Sequence, residues 1–105
     1  MLRFDDLQLF VRAADLGSLS AAARVMDMSA AVASAALKRI EQQLGVRLLA
    51  RSTRSLRLTA EGEGFLEYAR AALSSLDEGR RFLSSAQDQV SGILQLSAPS
   101  DFGRN

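Results

Sequence analysis

The run Gly17-Ser18-Leu19-Ser20-Ala21-Ala22-Ala23-Arg24-Val25-Met26-Asp27-Met28-Ser29 decides how this chain folds. A glycine closes the segment before it, because glycine takes the left-handed conformation at a helix end without steric cost. Ser20, or Ser18, then offers a hydroxyl oxygen to the free N–H groups of a new first turn. The alanines that follow are strong helix formers and leave room for another helix to come close. This short helix spans about two turns before Asp27-Met28 interrupts it, and Ser29 is the next N-cap candidate. Two helices so closely spaced have helix-turn-helix geometry.

Downstream, the third helix runs from Ser29 to Leu44 and stops at Gly45. Ala33, Leu37, Ile40 and Leu44 form its core stripe. Ala30, Ala31, Ser34, Ala35 and Lys38 cluster on the other side, a small and nearly flat outer face. Upstream, Leu7, Phe10, Val11 and Ala14 make one helical stripe between Asp5 or Asp6 and Leu16. The two acids stand where the helix dipole favours negative charge. Past Gly45, Val46-Arg47-Leu48-Leu49 and Leu56-Arg57-Leu58 are short alternating apolar stretches around the polar, basic Ala50-Arg51-Ser52-Thr53-Arg54-Ser55. They predict two short strands joined by a wing.

A last helix begins near Thr59, an N-cap candidate, with Glu61 and Glu63 in its first turn. Gly62, Phe65, Ala69, Ala72, Leu76, Gly79, Leu83, Ala86 and Val90 repeat at alternating spacings of three and four, a sustained coiled-coil seam. A helix over residues 60–90 is roughly 46 Å long at ~1.5 Å per residue. A domain this small cannot cover it, so the helix asks for a partner, most simply a second copy. Beyond it, Ile93, Leu94 and Leu96 read as the opening of a strand with no partner strand, as if a second domain were beginning. The expected division is residues 1–58, a winged helix-turn-helix; 59–91, a linker and dimerisation helix; and 92–105, the start of a truncated further domain. The fold class is mainly α: three helices and a short two-stranded wing, then a long dimerisation helix.

The chain has 105 residues, 48% hydrophobic and 24% charged, an ordinary globular balance. It has no cysteine and no histidine, which excludes disulfide frameworks, thiol nucleophiles, Cys/His zinc sites and imidazole bases. No run approaches the ~18 apolar residues of a membrane-spanning helix, and the acidic start is unlike a signal peptide. The expectation is a cytoplasmic protein without cofactor, metal or membrane partner. The net charge of +1 conceals +4 over residues 1–58 and −3 over residues 59–105. Between Lys38 and Arg57 six bases (Lys38, Arg39, Arg47, Arg51, Arg54, Arg57) face one acid, Glu41. Such a stretch suits an anionic partner, and equally a solvated basic face.

The residues alone leave three functions open: a DNA-binding domain, a helical protein-interaction module working through the heptad helix, and an enzyme acting on nucleic acid. The last lacks paired acids near the basic stretch. Met26 and Met28 read as core filler, Glu61, Glu63 and Glu67 as capping and solvation, and the serines at 84–85 and 97–100 as linker chemistry. Gly62 and Gly64 lack the strand-turn-helix and lysine of a phosphate loop.

The combined order narrows the choice. Leu7–Phe10, Gly17-Ser18-Leu19-Ser20 with Ala22-Ala23, Ser29 and Ser34, Leu37 through Ile40-Glu41, Leu44-Gly45-Val46-Arg47-Leu48-Leu49-Ala50-Arg51, Arg54, and Leu58-Thr59-Ala60-Glu61-Gly62 together resemble the N-terminal domain of LysR-type bacterial transcriptional regulators. The resemblance is tight over residues 5–62, extends through the long helix to about residue 90, and in the tail resembles the first strand of the family's effector-binding domain. It implies a regulator that binds promoter DNA as a homodimer, or as a dimer of dimers in the intact protein, with any small-molecule effector held by the missing domain. The third helix would lie in the major groove, with Ser29, Ala30, Ala31, Val32, Ser34, Ala35 and Lys38 facing DNA and the two serines near phosphate. In the wing, Arg51, Ser52, Thr53 and Arg54 would contact DNA, Arg54 in the minor groove. The long helix would pair antiparallel with its copy through Phe65, Ala69, Ala72, Leu76, Leu83 and Val90. One departure matters: family members often carry Gln-Pro where this chain has Ala30-Ala31, and many have Arg or Gln in place of Ala35. Alanine and Val32 can touch a thymine methyl but donate nothing to a base edge. Direct readout is therefore expected to be thin and groove shape, through Arg54, to matter more, unless Lys38 or a wing residue supplies the base contact.

Overall fold

The computed structural model describes residues 1–50 and 56–93. Its elements are α1 (Phe4–Leu16), α2 (Leu19–Val25), α3 (Ala30–Leu44), β1 (Leu49–Ala50), β2 (Arg57–Leu58) and α4 (Ala60–Ile93). The strands are antiparallel, Leu49 opposite Leu58 and Ala50 opposite Arg57. Three helices, a two-stranded wing and a long C-terminal helix thus follow in the expected order. The strands are shorter than the alternating stretches predicted: pairing begins only at Leu49. α4 extends to Ile93, so this residue ends a helix where a strand was expected to open. The wing tip, with Arg51, Ser52, Thr53 and Arg54, and the tail from Leu94 lie outside the described residues.

Local chemistry sets the helix ends. Gly17 (φ 69°) and Gly45 (φ 75°) are left-handed, and their N–H groups donate to the Ala13 and Glu41 carbonyls. Ser18, rather than Ser20, caps α2, its Oγ accepting from Ala21 N at 3.1 Å. Ser29 caps α3 in the same way, accepting from Val32 N at 3.1 Å. Between them Asp27 takes a left-handed φ of 58°, which short polar side chains tolerate better than others. Asp27 N donates to Arg24 O and Met28 N to Ala23 O, the paired bonds of a Schellman turn. That turn closes α2 and aims the chain into α3.

Leu9, Phe10, Val11 and Ala13 of α1, Ala22 and Ala23 of α2, Ala33, Ala36, Leu37 and Ile40 of α3, Leu48, and Leu66 and Ala69 of α4 form the core. The predicted α1 stripe therefore misses two core positions. Leu7 and Ala14 are half-buried, while Leu9 and Ala13 are fully enclosed. Met26 and Met28 pack against the same core, filling the turn as expected. Two compact units emerge, one from Met1 to Leu73 and one beginning at Ser74. The first of them takes in Ala60–Leu73 of α4.

Candidate nucleic-acid interface

α3 presents two unlike sides. Ala33, Ala36, Leu37 and Ile40 are sealed in the core, whereas Ser29, Ala30, Ala31, Val32, Ser34, Ala35 and Lys38 are all exposed. Val32 keeps 53% of its surface open. Ser29 takes the Val32 N–H, and the N–H groups of Ala30 and Ala31 in the first turn have no hydrogen-bond partner among the described residues. The exposed face thus combines free amides, two hydroxyls, small apolar groups and one ammonium.

Basic charge near α3 is divided between scaffold and surface. Arg39 does not face outward as a free cation: its Nε and Nη2 donate to Asp6 Oδ2 and Oδ1 at 2.9 and 3.0 Å. The Asp6 side chain is only 4% exposed, and its hydrogen bond raises the Arg39 pKa above the ordinary arginine value. The fork ties the first turn of α1 to α3. Asp6 was expected to serve the helix dipole; its larger role is this partnership, made with a residue 33 positions away. Lys38, Arg47 and Arg57 are exposed cations, with Arg47 Nε 3.9 Å from Glu41 Oε2.

The base of the wing is held from two directions. Glu41 Oε2, on α3, accepts from Leu48 N at 2.7 Å and Leu49 N at 3.1 Å. Thr59 N donates to Leu48 O at 3.0 Å, and Thr59 Oγ1 donates to Arg47 O at 2.6 Å while accepting from Gly62 N at 2.9 Å. Thr59 is thus the cap of α4 and also a clamp on the strand. Gly62 packs so tightly on Leu48 that a Cβ there would collide with the Leu48 backbone carbonyl. This seam position therefore packs against the chain's own residue just before β1.

Along α4 the seam residues fall into different surroundings. Phe65 is half-buried with its ring 5.9 Å from that of Phe10, and Ala69 is buried in the winged unit. Ala72 is exposed. In the second unit Leu76 and Leu83 stand 55% and 62% exposed, and Phe82 beside the seam 71%. The Val90 side chain lies outside the described residues. Arg70 pairs with Asp15 of α1 within the winged unit, and Arg81 with Asp77 one turn away at 2.8 Å in the second. No group of three acidic, histidine or cysteine residues that could hold a metal ion gathers among the described residues. No helix among them is long and apolar enough to cross a membrane.

Residues 4–63 match the family described as "Bacterial regulatory helix-turn-helix protein, lysR family". The chain is 37% identical over 99 residues to the probable HTH-type transcriptional regulator LtrA of Klebsiella pneumoniae, covering 94% of this chain and 32% of that protein. It therefore spans about a third of the length of the curated relatives it matches. Among solved structures, a CbnR DBD–DNA complex is similar at a TM-score of 0.71 and 36% identity, over 80% of this chain and 98% of that one. A BenM DBD/catB site 1 DNA complex is similar at 0.72 and 27% identity, over 85% and 94%.

Proposed function

This chain belongs to the lysR family of bacterial regulatory helix-turn-helix proteins, a family of transcription regulators and not of enzymes, and from that premise we propose that it binds promoter DNA as a homodimer in the bacterial cytoplasm. One observation carries the reading: α3 seals one side into the core and leaves a low, amide-bearing face with Lys38 fully open. A face without bulk is what allows a helix to enter the major groove. Ser29 and Ser34 bind phosphate there, Arg51, Ser52 and Thr53 contact the backbone, and Arg54 reads the adjacent minor groove. Residues 1–58 with the start of α4 are the reading head, and the helix to residue 91 is the linker. The dimer closes through the exposed seam of α4, above all Ala72, Leu76 and Leu83, with Val90 continuing it and Phe65 and Ala69 supporting it from within the winged unit. The apolar face of Ala30, Ala31, Val32 and Ala35 recognises thymine methyl groups in place of hydrogen-bonded base edges.

The test is affinity for duplex DNA across a salt range. With about six to ten phosphate contacts per dimer, affinity falls ~10³–10⁵-fold between about 50 and 200 mM salt. A flat response sinks the DNA reading and favours a protein-interaction module. Replacing thymine by uracil in the bound duplex weakens binding if Val32 and its neighbours read methyl groups; equal affinity removes that part of the mechanism.

A further inference from the structure

The hydrogen bonds at the wing base do more than terminate a strand. Glu41 projects from the C-terminal half of α3, the helix whose outer face is open to a ligand, and is half-buried. One of its carboxylate oxygens takes two successive backbone amides, Leu48 N and Leu49 N. Leu48 immediately precedes β1 and Leu49 opens it, paired to Leu58. Leu48 returns its carbonyl to Thr59 N, and Thr59 caps α4. A continuous path of hydrogen bonds therefore joins α3, the first strand and the first turn of α4, all within the unit that ends at Leu73. Its only charged acceptor is Glu41, and charge-assisted bonds are roughly twice as strong as neutral ones. Six bases crowd this part of the sequence, yet its single acid is spent on backbone amides, with Arg47 at the outer limit of ion-pair distance.

We propose that Glu41 is a positioning residue for DNA binding: by holding Leu48 and Leu49 it fixes the base of the wing at one angle to α3, so that both present to the same duplex. This rests on the DNA-binding reading above. Glu41 itself touches no DNA, and its negative charge would repel phosphate if it did. Preorganisation of this kind changes affinity without any contact being lost.

The experiment compares the chain with Glu41→Gln and Glu41→Ala, using as probe the duplex that the unaltered chain enriches most from a random pool. Affinity is measured at a temperature where circular dichroism shows all three fully folded, and amide exchange is read at Leu48 and Leu49. Glu41→Ala should exchange those amides faster and lose about tenfold in affinity, a loss of ~1.4 kcal/mol. Glu41→Gln keeps an acceptor oxygen and should fall in between. Removing a mere surface acid near a polyanion would instead strengthen binding. Fully folded variants that bind as tightly as the unaltered chain, or more tightly, overturn the proposal. Should Glu41→Ala not fold, Glu41→Gln decides alone: equal affinity despite faster exchange counts against positioning. An unaltered chain that enriches no duplex defeats the DNA reading itself, and the control reveals that separately.

Discussion

The two parts of α4 carry the same heptad pattern and meet opposite fates. Before Ser74, Gly62, Leu66 and Ala69 are buried and Phe65 leans on Phe10. After it, Leu76, Phe82 and Leu83 are mostly exposed. A periodic apolar stripe states which residues gain from leaving water, at about 25 cal/mol per Å² of apolar surface; it does not say what covers them. In the winged unit the cover is the chain itself. In the second unit nothing among the described residues supplies it, and a second copy is the economical answer under the proposal above.

The sharpest way to break this contrast is to place the same charge in each part. Leu66→Asp buries an unpaired carboxylate in the winged unit and should cost about 4 kcal/mol or more, enough to unfold a small domain. Leu76→Asp should leave helix content and the thermal unfolding of a single chain unchanged, while weakening self-association about a hundredfold or more. Calorimetry and sedimentation separate the two outcomes. A Leu66→Asp variant as stable as the unaltered chain, or a Leu76→Asp variant that still sediments as a dimer, would show that the parts are not distinct in this way.

Glycine offers a subtler probe. Gly62→Ala drives a methyl into the Leu48 carbonyl and should cost about 1–3 kcal/mol through overpacking and displaced strand. Gly64, two residues on, has open space where a methyl would go and lies in a helix with ordinary backbone angles. Gly64→Ala should therefore stabilise by about 0.5–1 kcal/mol, because alanine loses less backbone freedom on folding. Chemical denaturation of both variants reads the difference in sign, and a matching sign would refute the close approach of α4 to Leu48.

What the sequence made legible follows distance along the chain. Caps and stops act within a turn, so Gly17, Ser29, Gly45 and Thr59 could be read directly; only the choice between Ser18 and Ser20 depended on which N–H lay in reach. The order of helices and wing, and the open face of α3, followed from periodicities of the same short range. The fork between Asp6 and Arg39 could not be read, because nothing near either residue announces a partner so far away. Glu41 was visible as a lone acid among bases, but not as a ligand for two amides seven and eight residues on. Gly62 reads from the sequence as one more position in a seam for a partner helix, whereas it packs against Leu48, just before the chain's own first strand. Local signals named the elements; the contacts between elements decided which charges are scaffold and which remain free for a ligand.

Sedimentation equilibrium of the chain with a labelled duplex tests the central claim most directly, because it reads self-association and DNA binding together. The account predicts two chains per duplex, and two chains per particle without DNA, with the Leu76→Asp variant falling to one. Single chains in solution, with no duplex carried along even at low salt, would contradict it.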